Sequence, residues 1–310
     1  MQLVFQQIIV ILLYVVVGYV SGKIRLIQES DRKYLTRLCS TLILPFTILS
    51  ASSQHVDRTT LQSLLMSTVL MFCLFGGTTL LSLIYHKIRK SSMAYRAATT
   101  GLVTYPNCTF LGLPLCTALF GEMAILYNAG AMIVFNVLFF TVQYGLFTAE
   151  NKAKSIGAIL KNLLTPSIVS TVILILMLFM GLHFPLPVQT VVSSIGSMIS
   201  PLSLIIIGVM LSEHPLMDVI REKQGYVITF IRNLLVPALA ALALSLLPMD
   251  PSAKLCVLVY ISCPCATLTA IYAIQCGKEA ELCARTVLLS TLLFSGTLPL
   301  MISFGQLLFC

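Results

Sequence analysis

The chain has 310 residues, 58% of them hydrophobic and 10% charged, with a mean hydropathy of +0.97 and a formal net charge of +8. A soluble domain carries about 25% charged residues, so this chain has too little polar surface to cover a water-soluble globule, and secreted, cytosolic and nucleic-acid-binding classes are excluded. The basic excess reads as the bias of Lys and Arg toward the cytoplasmic face of an integral membrane protein.

A membrane helix needs about 20 apolar residues, and ten such stretches follow one another: 3–22, 37–54, 61–85, 95–120, 123–147, 164–183, 192–212, 225–247, 253–276 and 282–307. A β-barrel would instead alternate in short segments, which this chain does not. The first stretch is followed, not preceded, by Lys23 and Arg25, so it reads as a retained helix and not as a signal peptide. Seventeen of the nineteen Lys and Arg fall in the odd-numbered connections, from Lys23–Arg37 after the first stretch to Lys278 and Arg285 before the tenth. Only Arg58 and Lys254 fall in the even ones. The positive-inside rule then predicts a multi-pass plasma-membrane protein with both termini outside.

In the second stretch Pro45 follows Ser40-Thr-Leu-Ile-Leu, and 156 residues later Pro201 follows Ser197-Met-Ile-Ser in the seventh. Pro106 in the fourth stretch and Pro264 in the ninth are separated by 158. Two units are predicted, 1–150 and 164–310, joined by a short connection at 151–163. Each has five helices, and because five is odd the second is threaded the opposite way, an inverted repeat typical of transporters.

The fourth stretch reads Tyr105-Pro106-Asn107-Cys108-Thr109 and the ninth Cys263-Pro264-Cys265-Ala266-Thr267-Leu268-Thr269. Proline removes a backbone donor and clashes with the carbonyl four residues back, so both helices are expected to break at mid-span. Half-helices that restart there present free amides and a positive dipole end, a place for an anion. The candidate substrate-binding set is Asn107, Cys108, Thr109, Asn136, Cys265, Thr267 and Thr269, with Pro106, Pro114 and Pro264 shaping the breaks. Asn136 is the polar residue deepest in the fifth stretch; Asn128 and Gln275 read as bonds between helices. The cysteines read as small hydrophobes, and Cys263-Pro264-Cys265 lacks the second pair or His cluster a metal site needs. No ionisable residue is read near the centre of a span, which disfavours proton coupling through a buried carboxylate. His55, His86, His183 and His214 fall at loop ends, and no catalytic grouping accompanies them, so no enzyme activity, cofactor or metal is expected.

Pro106-Asn107 with Gly112-Leu-Pro114 and Leu119-Phe-Gly121, Pro201-Leu-Ser-Leu through Gly208-Val-Met-Leu211, Arg232-Asn-Leu-Leu-Val-Pro237, and Pro264 with Thr286–Thr291 and Leu298-Pro299 resemble the auxin efflux carrier family, which includes the plant PIN-type exporters. The resemblance spans essentially the whole chain. It implies an all-α membrane fold of ten helices in two inverted repeats, similar to sodium/bile-acid symporters and NhaA-like antiporters, with helices 4 and 9 crossing at their breaks. It also implies a scaffold of helices 1, 2, 6 and 7, a moving group of helices 3–5 and 8–10, elevator-like motion and a homodimer. Carried over, Asn107 contacts the substrate carboxylate and Asn136 faces the cavity. Thr269 stands where PIN-type relatives have a proline, and the central connection is short, so the chain resembles a prokaryotic member whose substrate is auxin or another carboxylate such as malate. The expected function is export of a small organic anion; the rivals are a sodium- or proton-coupled dicarboxylate importer and a non-transporting membrane sensor.

Overall fold

A computed structural model describes residues 2–54, 56–148, 164–213 and 215–309. The 151–163 connection, with Lys152, Lys154 and Lys161, and the residues His55 and His214 lie outside the described residues. Every regular element described is a helix: α1 Gln2–Lys23, α2 Glu29–Ser53, α3 Arg58–Ile88, α4a Met93–Thr104, α4b Cys108–Phe120, α5 Met123–Phe147, α6 Pro166–Met180, α7 Leu186–Ser212, α8 Lys223–Ser245, α9a Pro251–Ile261, α9b Thr267–Cys276 and α10 Ala280–Phe309, with a five-residue helix, Leu216–Ile220, between α7 and α8. Six of these, α2, α3, α5, α7, α8 and α10, are long and apolar enough to cross a membrane. The expected fourth and ninth stretches are each divided into two shorter helices.

Helix starts follow local capping chemistry. Asp57 accepts the Thr60 amide at 2.7 Å and begins α3 three residues before the apolar run expected at 61, and Ser92, Thr165 and Asp250 cap α4a, α6 and α9a in the same way. Gly181 and Gly277 end α6 and α9b in the left-handed conformation, which an L side chain adopts only with strain. Four stretches widen into π turns, at Cys39–Ile43, Cys108–Gly112, Phe139–Gln143 and Ile231–Leu235. Three of them immediately precede Pro45, Pro114 and Pro237. The wider turn makes room for the proline ring and leaves the helix unbroken.

Helix α1 packs along the second part of α7, where Gly18 and Gly208 let the two backbones touch: a Cβ on either would overlap main-chain atoms of the other helix. Helix α2 packs on α6 and α7; α3 packs on α5 and α4a; α10 packs on α8, α9a and α9b. Toward lipid, Leu65, Val69, Phe72, Leu80, Leu81 and Ile84 form an exposed stripe on α3. A soluble protein does not leave such a contiguous apolar face in water, whereas in a bilayer it is the solvated face.

Candidate functional site

The backbone is non-helical at Tyr105–Asn107 and again across Cys263–Ala266, and the two interruptions meet. The Asn107 amide donates to the Pro264 carbonyl at 2.7 Å and the Ala266 amide donates to the Tyr105 carbonyl at 2.9 Å, an antiparallel bridge centred on Pro106 and Cys265. Groups freed by one proline are thus satisfied by the segment freed by the other, which is how irregular backbone is tolerated away from water. Tyr105 is wedged beneath, its ring 5.8 Å from Phe75, 5.4 Å from Phe135 and 5.1 Å from Phe139.

From the bridge, α4b and α9b restart with their N-termini close together: Asn107 Nδ2 donates to Thr267 Oγ1 at 3.0 Å. A cavity of about 300 Å³ opens here, walled by the middle of α2, by the starts of α4b, α6 and α9b, and by α5. Pro106, Asn107, Cys108, Thr109 and Asn136 line it, and Thr267 is tied to it through Asn107. Asn136 anchors its amide on the Met132 carbonyl at 2.7 Å. Cys265 and Thr269 are buried away from that wall: the Cys265 amide donates to Ser290 Oγ, and Thr269 packs on Gly101 of α4a. Pro114 lies inside the continuous α4b, and its carbonyl accepts Ser200 Oγ from α7 at 3.3 Å. Asn128 is fully buried, bonding Ala124 and Cys256, and Gln275 is exposed. A larger, mostly apolar hollow between α3, α4a and α8 includes none of the bridge residues.

The remaining polar wall is hydroxyl: Thr36, Ser40 and Thr41 from α2, Thr165 and Ser167 at α6. Of these Thr36 Oγ1 has no hydrogen-bond partner among the described residues. Thr36 and Ser40 stand four apart on one helical face, a signal present in the sequence but masked by the charged turn around Arg32, Lys33 and Arg37.

One expectation is corrected. The sequence places Arg232 among the loop charges and leaves no ionisable residue deep in a span, yet Arg232 is 0% exposed within α8. Its Nη1 donates to Thr104 at 3.1 Å and to Val103, its Nε to Cys263 at 3.3 Å, and its Nη2 to Ile261, all main-chain carbonyls. It therefore closes the C-terminal ends of α4a and α9a, while its neighbour Asn233 holds the Ser290 carbonyl at 2.9 Å. The miss has a physical cause: seven residues into the predicted 225–247 helix, Arg232 follows Arg221 and Lys223 closely enough to read as part of their cytoplasmic cluster. Without it the odd-numbered connections still carry sixteen basic residues against two.

Compared with known proteins, residues 3–302 match the model of a family described as membrane transport protein. The chain is also 24% identical over 299 residues to an uncharacterized transporter of Methanocaldococcus jannaschii, covering 92% of this chain and 93% of that one.

Proposed function

The chain belongs to the membrane transport protein family, whose motifs are those of the auxin efflux carriers, and from that premise we propose that it is a secondary carrier for a small organic anion of the carboxylate class, auxin-like or malate-like. The observation that carries the reading is the pair of half-helix N-termini at one bridged break, opening on a cavity whose described walls offer amide and hydroxyl groups. Helix N-termini favour negative charge and supply free amides, and Asn107, Thr109, Asn136 and Thr267 add neutral donors and acceptors that fix orientation.

Movement is read as elevator-like alternating access within a fold of two inverted five-helix repeats, each of which contributes helices to both the scaffold and the moving group. The packing of α1, α2, α6 and α7 on one another, and of α3–α5 and α8–α10 in their own groups, supports a scaffold and a transporting body. The reciprocal bonds of the bridge have the two-fold character an inverted repeat would produce. Export follows from electrostatics: an anion leaving a negative interior gains about 2.3 kcal/mol per charge per 100 mV. The charge bias supports a plasma-membrane protein with both termini outside, and the family resemblance supports a homodimer.

The test is current on a solid-supported membrane bearing purified protein, with indole-3-acetate and malate as probes. A current that saturates with one anion and is lost in Asn107→Ala supports the carrier and its site; silence across carboxylates from folded protein rejects it. Uptake driven by a sodium or proton gradient alone would make the chain a coupled importer instead.

A further inference from the structure

Helices α4a and α9a end inside the protein, at Thr104 and Ile261, where a helix normally leaves its last carbonyls for solvent or a cap. Each such end carries about half a negative charge, so two of them together present about one elementary charge of acceptor potential. One guanidinium faces both. Arg232 donates to Val103 and Thr104 at the end of α4a and to Ile261 and Cys263 at the end of α9a, and among the described residues all four partners are carbonyls. No carboxylate shares this contact set. In carriers built on discontinuous helices, unwound carbonyls and half-helix C-termini are where a coupling cation is held.

We infer that Arg232 is a resident cation: it occupies, as part of the chain, the place at the crossed half-helix ends that a transported cation would otherwise fill, so that the carrier needs no sodium or other coupling cation at this site. The inference rests on the carrier reading and deepens it. A coupling ion must arrive and leave in each cycle; a guanidinium fixed to α8 cannot, and it stays charged at every physiological pH. Its place is secured on the same helix by Asn233, whose amide holds the Ser290 carbonyl, while Ser290 Oγ receives the Cys265 amide from the break. Arg232 thus acts as a positioning residue: it holds α4a and α9a, the N-terminal halves of both broken helices, at fixed spacing, and with them the C-terminal halves α4b and α9b that face the cavity.

The experiment has two arms on the full-length protein. In detergent, the melting temperature of the wild type should be the same in sodium chloride and choline chloride. Arg232→Ala should melt at least about 5 °C lower, since a cluster of buried carbonyls loses its guanidinium donor. Low guanidinium or sodium should restore much of that loss, and Arg232→Lys, a point charge reaching fewer carbonyls, should fall between. In proteoliposomes, wild-type exchange of indole-3-acetate or malate should be equal in sodium and choline media. Sodium-dependent exchange or sodium-specific stabilisation of the wild type overturns the inference, as does an Arg232→Ala loss that neither cation repairs. If Arg232→Ala does not fold, Arg232→Lys and the wild-type sodium comparison decide alone. Cation rescue in the melting arm without exchange of any carboxylate would reject the carrier reading and leave the resident cation standing.

Discussion

Asn107 has two partners on opposite sides of the break: its main-chain amide holds Pro264 and its side-chain amide holds Thr267. The first bond is structural and survives substitution of the side chain; the second sets where the side-chain oxygen points. Thr267→Val removes the acceptor while keeping shape, so the half-saturation constant for the transported anion should rise about fivefold, the worth of one hydrogen bond, with maximal current retained. At the protein surface, Asp57 illustrates a titrating cap. Bonds from the Thr60 side chain and amide, then from Thr59, hold its carboxyl down at about 2. Because the folded value lies below the unfolded carboxylate value of about 3.9, the cap's contribution is complete above that value and is lost as pH falls through about 2. Amide exchange protection at the start of α3 should therefore be insensitive to pH from neutrality down to about 4, after correction for intrinsic rates. Asp57→Ala should lower it throughout.

Among elements, the α1–α7 contact is the one most sensitive to size. Gly208→Leu places a side chain against the α1 main chain, whereas at Gly76 on α3 an added Cβ has nothing within 4 Å, so Gly76→Leu starts into open space. The first should cost about 1–3 kcal/mol or more and lower the melting temperature, the second should leave it nearly unchanged, read by the same thermal unfolding in detergent. The breaks in α4 and α9 were legible because proline interrupts a helix by its own covalent structure. The prolines at 45, 114 and 237 were less so: their helices continue through them by a π turn, a backbone adjustment without a residue signature. The start of α2 at Glu29, eight residues before the expected 37, was hidden because Glu29–Leu38 is amphipathic and charged, a pattern that hydropathy reads as a loop. Arg232 was misread for a related reason: sequence gives a residue's type and position, not the carbonyl ends that two other helices bring to it.

At the scale of the whole molecule, the two packed groups meet through few polar contacts, among them Gln54 Nε2 donating to Glu122 at 3.0 Å and Ser200 Oγ donating to Pro114. If the groups slide past one another, tethering them there must stop the cycle. Gln54→Cys with Glu122→Cys, in a Cys73→Ser background and joined by a short bifunctional thiol reagent, should abolish current, and a cleavable version should restore it; undiminished current in the tethered protein would rule out relative motion at this contact. The bridge between Pro106 and Cys265 carries a thermodynamic corollary. Since α4b and α9b are hydrogen-bonded together at their starts, in the proposed elevator motion the anion-facing groups of these two half-helices would keep one arrangement on both sides, while the α2 and α6 hydroxyls that complete the cavity would stay behind with the scaffold. Any difference in affinity between the two sides would then fall on those hydroxyls alone, and the sense of net flux would belong to the gradient and the cell's voltage, as in a valve, and not to the paired half-helices.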